Sequence, residues 1–158
     1  MQNSTFEGPT AFAQLIRDAV ADAAAQGVRE MVWSDADFFD WPLCEKSVID
    51  ALNVWANRHR RLVILAHNFD VIPRKHPRFV EWRRMWGHIV ECRVAKQWDA
   101  TEFPSAMWMP STYVQRLDPA RFRGIVSNDA LGVAHLKEAL NEVHKQSSPG
   151  FPATVLGL

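Results

Sequence analysis

The chain has 158 residues, 47% of them hydrophobic and 23% charged, which is enough for one globular domain with a real core and unlike a disordered, collagen-like or disulfide-rich chain. Lys and Arg number 18 and Asp and Glu 18, so no chain-wide basic field exists, which speaks against nucleic acid as the partner. No apolar run approaches the roughly 20 residues that span a bilayer, Met1–Thr10 lacks the regions of a signal peptide, and two cysteines (Cys44, Cys92) suit a reducing compartment, so a cytoplasmic protein with no membrane partner is expected.

Residues 1–9 are polar and expected to be flexible. From Ala11 to Gln26, Phe12, Leu15, Ile16, Ala19, Val20 and Ala23 recur three and four apart, which makes one buried helical stripe, with Thr10 as cap and Gly27 as stop. Arg29–Ser34 reads as a strand ending in the polar loop Ser34-Asp35-Ala36-Asp37. A second helix is expected from Pro42 to about Arg60, turning Val48, Ile49, Leu52, Trp55 and Ala56 inward. Leu62-Val63-Ile64-Leu65-Ala66 is an unbroken apolar run that fits a strand buried on both faces. The loop His67–Pro73 leads to a helix over Pro77–Gly87 and then to an alternating, half-exposed strand over His88–Ala95. Ser105–Leu117 and Phe122–Ser127 read as two further strands, interrupted at Pro110 and at the turn Asp118-Pro119. Asp129 can cap a last helix reaching about Gln146, and residues 148–158 form a tail with the apolar end Val155-Leu156-Gly157-Leu158. This order predicts a single α/β domain over residues 10–147. Its expected form is a three-layer sandwich with a mixed, mostly parallel sheet of about five strands covered by helices.

The balanced charge is unevenly spread. Residues 1–57 carry a net −6, whereas residues 58–84 hold Arg58, Arg60, Arg61, Arg74, Lys75, Arg78, Arg83 and Arg84 against Asp70 and Glu81, a net +6. That segment is either an anion-binding surface or a stretch that packs beside the acidic N-terminal third.

Three pieces of sequence share an order with a known family. Val32-Trp33-Ser34-Asp35 is followed by Ala56-Asn57-Arg58 leading into Arg61-Leu62-Val63-Ile64-Leu65, and then by Ile89-Val90-Glu91-Cys92-Arg93, closed by a strand pair and a C-terminal helix. The succession resembles a phospholipase D-like domain of the kind found in uncharacterised bacterial proteins, over about residues 10–147. The resemblance implies a phospholipase D-like fold in which two units often pair. Active members carry H-x-K-x-x-x-x-D, where the His accepts the phosphoryl group and the Lys binds phosphate. Here His135-Leu136-Lys137, with Glu142 after it, is the only approach to that pattern. On a helix, residues two apart point about 200° apart and do not converge on one phosphate. The strand where the family has its motif reads Ser105-Ala106-Met107-Trp108. The resemblance therefore implies a degenerate copy without the phosphodiesterase machinery.

Two loops after strands carry the candidate chemistry. Asp35, Asp37 and His67 are the catalytic candidates, and Ser34, Asp35, Asp37, His67, Asn68, Asp70 and Arg74 are the candidate binding set for a small anionic ligand, since ligands in open α/β sheets bind at strand carboxyl ends. The D-x-D after an apolar strand is also similar to haloacid dehalogenase-like phosphatases, in which the first Asp is the nucleophile and both help hold magnesium. The alternative is that these aspartates cap turns and the next helix. Of seven tryptophans, Trp82 and Trp86 lie one helical turn apart with Arg83 beside them and are expected at a partner surface. With the apolar tail they suggest a homodimer. The leading expectation is a non-catalytic binding or regulatory module with no cofactor and no metal. The alternatives are a magnesium-dependent phosphohydrolase using Asp35 and Asp37, and a nucleic-acid or protein interaction domain using residues 58–84.

Overall fold

The computed structural model describes residues 1–152. Ser4–Glu7 (β1) pairs antiparallel with Arg123–Ser127 (β7), so the N-terminal residues expected to be flexible belong to the sheet. The reason is Phe6, which is buried while its neighbours Thr5 and Glu7 face out. Gly8, at φ 101°, turns the chain into α1 (Pro9–Gln26), where Pro9 sits in the first turn and needs no N–H partner. Gly27, at φ 64°, ends α1 in the left-handed conformation and donates its N–H to the Ala23 carbonyl.

The parallel part follows as β2 (Glu30–Asp35), α2 (Lys46–Trp55), β3 (Arg61–Ala66), α3 (Val71–Lys75), α4 (Pro77–Met85) and β4 (Val90–Val94). The second helix is shorter than its sequence suggests: it begins after Glu45, and Ala56 is already extended. Trp41 and Leu43, before that helix, are buried in the core. Pro110 splits the expected strand Ser105–Leu117 into β5 (Ser105–Trp108) and β6 (Tyr113–Asp118), with Met109 N–H donating to the Thr112 carbonyl across the turn. The last helix, α5 (Ala130–Lys145), is capped as expected by Asp129, whose carboxylate accepts from Gly132 N–H. Ser148–Pro149 (β8) adds a short edge to β4.

The sheet has eight strands in the order β1-β7-β6-β5-β2-β3-β4-β8, and only the β2-β3 and β3-β4 pairs are parallel. A mostly parallel, five-stranded phospholipase D-like sandwich is therefore not what forms; the sheet is mixed and mostly antiparallel. The connections decide this. A parallel neighbour needs a crossover of about a dozen residues or more, and the links over 109–112 and 119–122 are short enough only for antiparallel neighbours.

Helices α1, α2 and α4 cover one face over a core that includes Phe12, Ile16, Trp33, Trp41, Leu52, Trp55, Phe79 and Trp82. On the other face α5 lays Val133, Leu136, Leu140 and Val143 on Val32, Val63, Leu65 and Trp108. Burying each such side chain contributes roughly 1.5–3 kcal/mol. The Trp108 indole N–H is satisfied by the Val133 carbonyl at 2.9 Å, tying α5 to β5. Because β2, β3 and β4 run the same way, their carboxyl ends share one end of the molecule and their amino ends the other. Among the described residues no helix is long and apolar enough to cross a membrane. The apolar end Val155–Leu158 lies outside the described residues.

Candidate functional site at the two ends of the parallel strands

At the carboxyl ends, the sequence candidates are drawn into a network centred on a residue they did not include. Arg116 of β6 is only 5% exposed. Its Nη2 donates to Asp35 Oδ1 at 2.7 Å, its Nη1 to Asp40 Oδ2 at 3.0 Å and its Nε to Ser105 Oγ at 2.8 Å. The guanidinium carbon lies 4.3 Å from the Phe12 ring centre and 5.1 Å from that of Phe122. The second oxygen of Asp35 accepts the Phe38 N–H at 2.9 Å. Asp37 Oδ1 accepts the Phe39 N–H at 3.0 Å, and Ser34 Oγ donates to the Pro104 carbonyl at 2.8 Å. Phe38 (φ 62°) and Phe122 (φ 53°) hold left-handed backbones that cost a bulky residue on the order of 1 kcal/mol or more.

The result is a cleft of about 330 Å³ lined by Asp35, Asp37, Asp40, Thr101, Arg116 and Asp118. Asp35 and Asp37 cap turns, as the alternative reading held, but none of these aspartates caps the second helix, and Asp35 and Asp40 pair with Arg116. Magnesium does not fit Asp35, because one oxygen is held by a guanidinium and the other by main-chain N–H groups. Among the described residues, no three His, Cys, Asp or Glu side chains gather to hold a metal ion.

The second candidate loop is tied to the first through the Ala36 carbonyl, which accepts the main-chain N–H groups of His67 and Asn68. His67 is half-buried with its ring edge-on to Phe103 at 6.4 Å. Asn68 Oδ1 accepts the Asp70 N–H, and exposed Arg74 donates to the Asp70 carbonyl. Nearby His76 is fully enclosed. Its Nε2–H donates to the Phe38 carbonyl at 2.8 Å, and burial holds its pKa below the ordinary 6.5.

Trp82 is 2% exposed and stacks on Phe79 at 5.6 Å, so it is a core residue and offers no surface to a partner. Its position three residues after Phe79 on the inner stripe of α4 is the cause. Trp86 is half-buried and tilted over His88 at 5.7 Å. On α5, His135 is exposed while Lys137 turns back onto Glu30 at 3.1 Å, so the two do not converge.

The basic segment is not one surface either. Lys75 and Arg78 lie against the 39–44 loop, Lys75 over the Phe39 ring at 3.6 Å and Arg78 on the Cys44 carbonyl at 2.8 Å. Arg84 pairs with Glu81 at 3.0 Å, and Arg83 is inside. Arg58, Arg60 and Arg61 remain at the amino ends of the strands, where the topology adds Arg29 before β2 and His88 before β4. Arg60 Nε donates to the Trp55 carbonyl, and Arg58 to the ring of His59. Arg61 bridges Glu30 at 3.6 Å and Glu91 at 2.8 Å across the parallel strands. Those carboxylates are matched again by Lys137 and His144. Among the described residues, exposed Arg29 and Arg58 have no carboxylate partner. A groove of about 250 Å³ runs beside Arg60, Arg61, His88 and Glu91.

Sequence reasoning missed Arg116 because its partner Asp35 is 81 residues away. One signal was present: Val114 and Arg116 occupy alternate positions of one strand, so an arginine stood at an inward site.

No protein-family model matches the sequence, and no curated protein matches it. Among solved structures, the chain is similar to TrmBL2, an archaeal chromatin protein whose structure shows a novel mode of DNA binding, with a TM-score of 0.68 at 18% identity over 95% of this chain. The match spans 54% of TrmBL2, about half its length. It is also similar to NucT from Helicobacter pylori, with a TM-score of 0.60 at 9% identity, over 94% of this chain and 99% of that one. At these identities the likeness is one of fold.

Proposed function

We propose that the chain binds nucleic acid through its phosphate backbone, using the amino-end edge formed by Arg29, Arg58, His59, Arg60, Arg61 and His88. The observation that carries this reading is the gathering of four arginines at one end of the sheet, of which Arg29, Arg58 and Arg60 have no carboxylate partner among the described residues. A net charge of zero does not oppose it. The field that phosphates meet is local: Asp35, Asp37, Asp40 and Asp118 lie at the far end of the strands, and Glu30 and Glu91 beside the edge are engaged by Arg61, Lys137 and His144. The fold likeness to a DNA-binding chromatin protein supports the same partner, against the expectation drawn from composition. Phosphate contacts of this kind position a protein without reading sequence. No cofactor enters the reading, and kinship with degenerate phospholipase D-like domains, supported by the succession from Val32 to Arg93, is part of the proposal. The magnesium phosphohydrolase gives way to it, because Asp35 is committed to Arg116.

The test is the anisotropy of a short labelled DNA duplex titrated with the full chain at several salt concentrations. Affinity is expected to fall with salt, with a log–log slope of about −0.9 for each phosphate neutralised. Arg58→Gln with Arg60→Gln should weaken binding about tenfold or more and flatten the slope by roughly 0.9 for each phosphate that the variant leaves unneutralised. A response flat in salt, or a double variant that binds like the parent, would overturn the proposal.

A further inference from the structure

We infer that Arg83 forms an oxyanion site of its own, in the recess between α4, β4 and β8, for a carboxylate or phosphate group. The inference stands independently of the nucleic-acid proposal. Helical spacing places Arg83 four residues after Phe79 on the inner side of α4, where it is 6% exposed. A guanidinium is charged at every physiological pH, and an arginine this deep is ordinarily matched by a carboxylate. Arg116 shows the matched case, with two aspartates and a hydroxyl in contact.

Arg83 has neither among the described residues. Its Nη1 reaches the Gly87 carbonyl at 3.5 Å and its Nη2 the Phe151 carbonyl at 3.3 Å, both longer than the usual ~2.7–3.2 Å. Among the described residues its buried Nε–H has no hydrogen-bond partner. The recess beside it, about 540 Å³, is lined by Val90, Cys92, Arg93, Pro149 and Gly150 as well as Arg83. Burial pushes the Cys92 thiol up to about 11, against the pull of neighbouring Arg83, so the thiol is neutral and no counter-ion. Glu91 also borders the recess, but its carboxylate is engaged by Arg61 and His144. Arg93 also borders the recess, held by Ser147 at 2.9 Å and paired with Glu91 at 3.9 Å. A small oxyanion in the recess would meet the planar guanidinium of Arg83, whose donor fork distinguishes arginine from lysine.

The experiment titrates the full chain with inorganic phosphate against chloride at equal ionic strength, reading arginine Nε–H resonances by NMR. The Arg83 signal is assigned by its absence from Arg83→Lys. It is expected to shift saturably with phosphate alone, with a dissociation constant on the order of 1 mM. Arg83→Lys keeps the charge without the fork and should bind phosphate about tenfold more weakly by heat of binding. Arg83→Met, checked for folding by its thermal melt, should not bind. A duplex arm separates the sources of the anion. If a backbone phosphate enters the recess, the duplex moves the same signal. If a free oxyanion is the occupant, the duplex leaves it in place while phosphate moves it. A signal that phosphate does not move, or moves no more than chloride does, would sink the inference, as would parental phosphate binding by Arg83→Met.

Discussion

The carboxyl ends of β2, β3 and β4 lie in a region rich in aspartates, and their amino ends in one rich in arginines. The aspartates look more like a reaction centre in sequence, yet they are the committed side. Asp35 is buried and holds a guanidinium and two main-chain N–H groups, Asp37 holds a turn, and Asp40 completes the coordination of Arg116. The arginines at the other end read as a diffuse run in a neutral protein, yet Arg29 and Arg58 stay exposed and unmatched among the described residues. A charged cluster signals binding according to what remains unsatisfied after folding, and the count of charges says little about that.

Substitutions on the two sides should separate stability from binding. The largest effect is expected at the acidic end. Arg116→Met leaves Asp35, 3% exposed, as a buried charge without its partner and should cost about 3–5 kcal/mol in urea denaturation. Adding Asp35→Asn to it should recover part of that loss, because the uncompensated charge is gone. If Arg116→Met were neutral, the view of this end as a structural lock would fail.

His76 gives the same end a pH dependence. Its folded pKa lies below the ordinary 6.5 because burial disfavours the charged ring, so below that pH the unfolded chain binds the proton more readily than the folded one. Stability is then full above about pH 6.5 and falls as the pH drops toward the folded value. His76→Gln should flatten that decline in melts recorded between pH 7 and pH 5. A decline of equal slope in the variant would assign the dependence to other groups.

Between the two sides in effect is the cap of α5. Asp129→Ala removes the acceptor for the Gly132 N–H and should cost about 1 kcal/mol, with no change in binding. At the basic end the effect on stability should be smallest. Arg58→Gln is expected to stay within about 0.5 kcal/mol of the parent, while the duplex affinity falls. A large loss of stability there would make the arginine edge structural and erase the contrast.

Much of the architecture is legible because it rests on local pattern. The stripe of α1, the stop at Gly27, the cap at Asp129 and the apolar run Leu62–Ala66 each follow from neighbours a few residues apart. The placement of the strands around Val32, Val63 and Val90 side by side follows from the crossover helices between them. The edge strands β1 and β8 were not legible, since four and two residues show no periodicity and each pairs with a strand far along the chain. The tryptophan pair illustrates the limit at the level of a residue. The spacing of Trp82 and Trp86 puts both near one side of α4, and only packing against Phe79 decides that Trp82 is inside.

By itself the sequence determined that this protein alternates helices with apolar strands, where most of those elements begin and end, and which segments carry excess charge, since these depend on contacts within one or two turns. The tertiary structure alone decided that β1, β5 and β8 pair antiparallel with strands far along the chain, that Asp35 belongs to Arg116, and that residues 58–84 are divided among a surface edge, a loop brace and a buried guanidinium. Those outcomes depend on pairings between residues tens of positions apart, for which the chain carries no periodic signal.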